Sequence, residues 1–307
     1  MRVLFIGLGS IAKKHIAALK ELKPEAEIFA LRSSSKSNEM EGVKSILALS
    51  EVKEKFTFAV VSNPTSLHKE SIIQLLPMDI PILIEKPIVN SIKDAQYILK
   101  HYNTSNVVSL ISCNLRFHPC IKYLKEHLSK LDWIEINAYC GSYLPDWRPE
   151  YNYLENYSAN RESGGGVDLD LIHELDYIFH LIGSPKNIVS HKKNLSSLGI
   201  KSPDYANYFL EYEKGIVTVS LNYYRRTPKR SIEIITNNDV LIVDLLKYSI
   251  FSEAKGKIIF AEKIQRAELL KRQMSYFLNC IENNEHTMNS IGDAVEVLKI
   301  CLNEEIK

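Results

Sequence analysis

Lys86 stands in the run Leu83-Ile84-Glu85-Lys86-Pro87, where an apolar segment reads as a buried strand that ends on a lysine followed by proline. Proline fixes its own φ and pushes the residue before it toward an extended conformation. Lys86 is therefore expected to be held in one direction at a strand's carboxyl end, where open α/β sheets bind ligands. A solvated loop charge is the plain alternative. A second group lies in SGGGVDLDLIHELDY (163–177), where Asp170, His173 and Asp176 recur every three residues and so share one face of a helix. A carboxylate one turn from a histidine can fix its tautomer and raise its basicity, as a general acid/base near neutral pH requires. A glycine-hinged helix with a capping aspartate and a satisfied histidine explains the same residues without chemistry. A metal face of His173, Asp176 and His180 is a further alternative. No fitting fourth ligand stands out for it, and His180 lies in the apolar stretch IFHLIG (178–183), where a core histidine is expected; no metal is expected.

Two other segments could bind rather than react. GLGSIA (7–12) fits G-x-G-x-x-G/A between an apolar run and a helical pattern. Gly7 allows the tight turn, Gly9 lets backbone approach a pyrophosphate, and Ala12 permits close helix–strand packing, with the helix N-terminus donating to the anion. At the end of the second strand the acidic ribose ligand of NAD sites is missing, and Arg32-Ser33-Ser34 stands there instead. An arginine accommodates a 2′-phosphate, which favours NADP over NAD; stacking on the adenine would let both bind. The loop 141–162 carries Tyr143, Trp147, Arg148, Tyr151, Tyr153, Tyr157 and Arg161. Aromatic faces and guanidinium groups together suit a sugar ring, and clamp an anion if the sugar bears carboxylate or phosphate. Packing against a sheet would account for part of the same aromatics.

The elements that must hold these residues follow from periodicity. Apolar runs at 2–7, 27–31, 56–62, 80–85 and 107–113 read as strands, and helical patterns at 10–22, 65–76 and 91–102 separate them. Strands alternating with helices imply βαβ units, right-handed crossovers and a doubly wound parallel sheet. Beyond residue 118 the pattern changes. A helix at 119–130 precedes long alternating segments at 133–143, 205–213, 215–225, 230–237 and 239–245, with a helix at 167–182 and two more at about 262–282 and 290–305. The expected fold is thus a Rossmann domain, 1–118, and an α+β domain, 119–307, with an open, mainly antiparallel sheet, the last helices packing back on the first domain.

Composition bounds the rest. The 307 residues are 45% hydrophobic and 24% charged, and 38 Lys and Arg balance 37 Asp and Glu, so charge makes no case for nucleic acid or an anionic membrane. Five scattered cysteines without a CxxC pair suit reduced thiols in a cytoplasm. No apolar run approaches the ~18 residues of a spanning helix. An open second sheet has a face to bury, which predicts a homodimer or homotetramer.

GLGSIA (7–12), SNPTSLH (62–68), EKP (85–87), NLRFHP (114–119) and the GGG…D…H…D segment together resemble the Gfo/Idh/MocA family, the glucose–fructose oxidoreductase and inositol dehydrogenase group, over nearly the whole length. The resemblance implies an NAD(P)-dependent oxidoreductase acting on a hydroxyl or keto carbon of a sugar or nucleotide-sugar. It implies cofactor contacts at Gly7, Gly9, Ser10, Ile11, Arg32, Ser33, Asn63, Pro64, His68, Glu85 and Lys86. Substrate contacts are implied at Arg116, Tyr143, Trp147, Arg148, Asp170 and His173, and Lys86, Asp170 and His173 would carry the catalysis, with His173 as acid/base. The family spacing D-x-x-x-H is one residue shorter here, so His173 is matched more directly than Asp170. The segment and its LPDWRP loop (144–149) resemble a branch associated with bacterial surface-glycan and nucleotide-sugar synthesis. A dinucleotide-binding regulator of the same fold would need neither Lys86 nor His173, and a metal-assisted lyase or hydrolase would need the His173–His180 face.

Overall fold

A computed structural model describes residues 1–34, 39–104 and 107–303. The elements are, in order, β1 (Arg2–Ile6), α1 (Ser10–Leu22), β2 (Glu27–Leu31), β3 (Val43–Ile46), β4 (Phe58–Val61), α2 (His68–Leu75), β5 (Ile82–Ile84), α3 (Ile92–Tyr102), β6 (Ser109–Ile111), α4 (Pro119–His127), β7 (Trp133–Tyr143), α5 (Val167–Asp170), α6 (His173–Ile182), β8 (Asn187–Lys193), β9 (Tyr205–Glu211), β10 (Ile216–Asn222), β11 (Tyr224–Thr236), β12 (Val240–Asp244), β13 (Ser249–Ser252), β14 (Lys257–Ala261), α7 (Arg266–Asn283) and α8 (Ile291–Leu302). They form two compact units, Met1–Asn114 with Gln265–Val295, and Leu115–Ile264 with the remainder of the chain.

The first unit holds a six-stranded parallel sheet in the order β3-β2-β1-β4-β5-β6, the doubly wound dinucleotide-binding order. Its strands are continuous apolar runs because both faces are covered: Val3, Phe5, Phe58, Val60, Leu83 and Leu110 share a core with Ile16 and Leu19 of α1 and Met274, Phe277 and Leu278 of α7. Phe277 meets Phe58 edge-on at 5.5 Å, and Lys271 pairs with Glu21 at 2.8 Å. These contacts hold Gln265–Val295 in the first unit.

The second unit holds an eight-stranded sheet in the order β14-β13-β12-β11-β7-β10-β9-β8, antiparallel throughout except for the β10–β7 pair. One face buries Ile136, Ala138, Val217, Val219, Leu221, Ile232 and Ile234, with α5 and α6 against it. The sequence pattern missed β8, β13 and β14, whose strands are short or carry mixed polar residues. It also expected one helix over 167–182. The chain breaks that helix at Leu171 and Ile172, so Asp170 closes α5 and His173 opens α6. All five cysteines are free and buried. Among the described residues no helix is long and apolar enough to cross a membrane.

Candidate active site

The sheet order reverses between β1 and β4, and the loops leaving β1, β4 and β5 lie side by side. Gly7 has φ +89°, and a Cβ there would stand 2.8 Å from Asn63 Cα, so backbone conformation and packing both require glycine. Gly9 differs. Its φ is −77°, and a Cβ would meet no atom within 4 Å. Its glycine is not demanded by the protein's own packing, and it leaves the N-terminus of α1, opened by the exposed Ser10 and half-buried Ile11, accessible to an incoming group. That is the geometry a pyrophosphate needs, so these residues fit the cofactor the motif implies. Ala12 is fully buried under the close helix–strand contact. Arg32 leaves β2 with its N–H bonded to Ile46 at 2.9 Å, next to the glycine loop, where Gly7 N–H reaches Leu31 at 3.3 Å; Ser33 is exposed.

Most side chains behind these loops are committed to the protein. Glu85 Oε1 stands 2.6 Å from His15 Nε2, and both residues are buried. Burial alone would raise the Glu85 pKa. The His15 hydrogen bond and charge, the Ser112 hydroxyl and the Lys86 ammonium outweigh it and bring the carboxyl below its usual range. Ser112 in turn accepts from Gln273 Nε2 at 3.0 Å, linking β6 to α7. Glu85 is thus a buried anion behind Lys86. His68 is 1% exposed; its Nδ1 lies 3.1 Å from the carbonyls of Pro87 and Ile88, and its Nε2 lies 3.0 Å from that of Asn63. Burial lowers its pKa, partly offset by those carbonyls. The His68 ring thus lies between the carbonyls of the loop after β4 and those of the loop after β5. Asn63 gives Nδ2 to Ser71 at 2.9 Å, while its buried Oδ1 has no partner among the described residues. Pro64 caps the short turn 65–67 that leads into α2. Lys86, half-buried, follows β5 and is joined to Pro87 by a cis peptide.

In the second unit Asp170 is 6% exposed and accepts from Tyr223 Oη at 2.6 Å. Burial and the Asp170 carboxylate push the Tyr157 phenol up. Trp147 stands edge-on to Tyr223 at 5.4 Å and donates Nε1 to Ser142 at 2.8 Å, while remaining 37% exposed. Tyr143 is half-buried and Arg148 exposed on the same loop. His173 is half-buried at the start of α6, and the two acids after it are taken. Glu174 binds Arg230 at 2.6 Å, and Asp176 binds Arg116 at 2.7 Å. The break before His173 and the capture of Asp176 dissolve the expected triad face. Arg116, expected at the substrate, is 3% exposed and paired with Asp176, and it also donates to His180 Nδ1 at 3.4 Å. Burial and the Arg116 and Lys125 charges bring His180 down to about 3, so it accepts as a neutral ring. Among the described residues no three His, Cys, Asp or Glu side chains are grouped to hold a metal. Arg161 is held by the buried Asp168 at 2.8 Å. Sequence reasoning missed His15 and Tyr223. His15 could have been found as a histidine on the apolar face of α1, whereas nothing in the strand alternation marks Tyr223.

Residues 1–112 match the family described as Oxidoreductase family, NAD-binding Rossmann fold, Gfo/Idh/MocA. Those 112 of the chain's 307 residues match that family's NAD-binding domain. A curated relative, glucose-6-phosphate 3-dehydrogenase of Bacillus subtilis, is 25% identical over 60% of this chain and 54% of its own length, so the chain spans about half of that relative. Two solved structures share the fold: UDP-N-acetylglucosamine 3-dehydrogenase of Acidithiobacillus ferrooxidans, at 18% identity and TM-score 0.81 over 99% of this chain and 96% of that one, and levoglucosan dehydrogenase in complex with NADH, at 14% identity and TM-score 0.85 over 98% and 95%. The fold shared with these structures thus extends through both units.

Proposed function

We propose that this chain is a Gfo/Idh/MocA-type, NAD(P)-dependent oxidoreductase of the cytoplasm that moves a hydride between the cofactor and a hydroxyl or keto carbon of a sugar or nucleotide-sugar. The observation that carries the reading is the meeting, at the adjacent ends of β1, β4 and β5, of a glycine loop open at Gly9 and a lysine backed by a buried anion. Named relatives acting on glucose 6-phosphate, UDP-N-acetylglucosamine and levoglucosan support the substrate class. Buried unpaired thiols suit a reducing compartment. Gly7, Gly9, Ser10, Ile11, Asn63 and Pro64 would hold the pyrophosphate end, and Arg32 with Ser33 the ribose. The bound nicotinamide would take up or supply the hydride. In the oxidation direction His173 takes the hydroxyl proton, Asp170 orients that hydroxyl with Tyr223 behind it, and the Lys86 ammonium steadies the developing oxyanion. Tyr143, Trp147 and Arg148 would line the sugar.

Arg32 leads us to expect NADPH to bind at least as tightly as NADH. Fluorescence titration of both decides it: a clear NADH preference unchanged in Arg32→Ala removes the NADP reading, and failure to bind either removes the enzyme.

A second copy is the expected cover for the open sheet face. One register row crosses all eight strands there, Val189-Phe209-Thr218-Asn137-Glu233-Ile242-Phe251-Ile258, with exposed Val, Phe and Ile at both ends and polar residues between. Light scattering should report a dimer or tetramer that Phe209→Lys dissociates; a wild-type monomer removes the interface.

A further inference from the structure

Between the pairs Tyr224–Tyr143 and Lys229–Gly141, β11 advances five residues while β7 advances two, so three extra residues bulge from one end of the sheet. The bulge presents Arg225, Arg226 and Lys229. The Arg226 guanidinium lies 3.6 Å from the Tyr143 ring centre, and Arg225 and Lys229 stand over Tyr139 at 5.4 and 5.3 Å. Among the described residues no carboxylate pairs with any of the three, and the buried Arg225 Nε has no hydrogen-bond partner. Three neighbouring cations repel one another, and an unpaired guanidinium N–H out of water is costly, so this cluster is poised for an anion. The Tyr143 ring face restricts Arg226, which preorganises its fork for a phosphoryl group.

The cluster is tied to the candidate substrate residues. Tyr143 follows Ser142, which accepts from Trp147, and Trp147 meets Tyr223, the partner of Asp170. Tyr223 and Tyr224 lead directly into the bulge. Arg225 and Lys229 stand over Tyr139, two residues along β7 from Asn137 of the apolar row, ~7 Å at strand rise, so the cluster borders that row on the same open face and the oligomeric state of any variant belongs to its test. Resting on the proposed sugar-oxidoreductase reading, we infer that Arg225, Arg226 and Lys229 form a phosphate subsite, and that the substrate is a phosphorylated sugar, either a sugar monophosphate or a nucleoside-diphosphate sugar.

Calorimetric titration of the whole protein with glucose, glucose 6-phosphate, UDP-glucose and inorganic pyrophosphate tests the subsite without requiring turnover. At least one sugar phosphate should bind about tenfold or more tightly than glucose, and the Arg225→Gln/Arg226→Gln variant should lose about tenfold for it. Which of the two sugar phosphates binds tells a monoester from a diphosphate substrate. Equal binding of glucose and both sugar phosphates, unchanged affinity in the variant, or pyrophosphate binding as tightly as the sugar phosphates overturns the subsite. So does a variant that changes only the oligomeric state, because the cations then face a second copy. NADPH affinity of the variant reports its folding. Sugar-phosphate binding without any cofactor reduction would leave the subsite standing and remove the oxidoreductase reading instead.

Discussion

The loops at the Rossmann strand ends and the loops at the end of the second sheet present opposite surfaces. Behind the former, His15, Glu85, His68, Ser71 and Ser112 are spent on one another and on backbone carbonyls, and what faces outward at Gly9 is main chain. At the latter, Trp147, Arg148 and Arg226 project their own side chains into solvent. Main-chain donors recognise a group common to every dinucleotide, so one short motif suffices. Side chains recognise what differs between substrates, and nothing fixes their pattern in advance.

Chemistry drawn from both surfaces breaks the comparison most sharply. Lys86→Ala and His173→Ala should each lower kcat/KM by ~10²–10⁴-fold, the ranges for a lost oxyanion donor and a lost general base. If they serve one step, the double variant is little worse than the worse single one. Full additivity would assign them separate steps, and near-normal single variants would remove the mechanism. Cofactor affinity should survive His173→Ala, since His173 belongs to the second unit.

The two glycines of the first loop separate packing from binding. Gly7→Ala forces a side chain into φ +89° against Asn63 and should cost about 2 kcal/mol or more of stability, read as a fall in Tm. Gly9→Ala has ordinary φ and meets no protein atom, so its Tm should stay within about 1 kcal/mol of wild type while NADPH binding weakens about tenfold. A Gly9→Ala protein that binds normally would take the pyrophosphate away from that loop.

Legibility in the sequence follows the same division. The parallel sheet was readable because strands covered on both faces are continuous apolar runs, and Gly7, Gly9 and Lys86 because their positions are set by turn geometry. Asp170 and His173 could be named but not arranged, since a helical period cannot show that the chain breaks between them. Motifs carry residue identity, not direction: His68 faces three carbonyls and Arg116 pairs with Asp176, contacts that the sequence does not show. The Arg226–Tyr143 stack depends on a register shift between distant strands, which no local pattern encodes.

The smallest expected effect tests whether the buried network of the first unit is ionic. Glu85 has its pKa held below the usual carboxylate range, with burial opposing and His15, Ser112 and Lys86 prevailing. A carboxyl with a depressed folded-state pKa stabilises the fold above its unfolded value, ~4.3, and that contribution is lost as pH falls through the folded value. Glu85→Gln keeps the shape and an acceptor for His15 Nε2 but removes the charge. The variant should therefore melt below wild type at pH 7, and the gap should close as the medium is brought below about pH 4.3. Both proteins share every other acid, so the difference isolates Glu85. A gap constant from neutral to acid pH would mean that hydrogen bonding alone, without charge, ties α1 to the strand end that carries Lys86. In that case the electrostatic backing assigned to the lysine would be absent, and the first unit would be as neutral behind its ligand loops as its main-chain surface suggests.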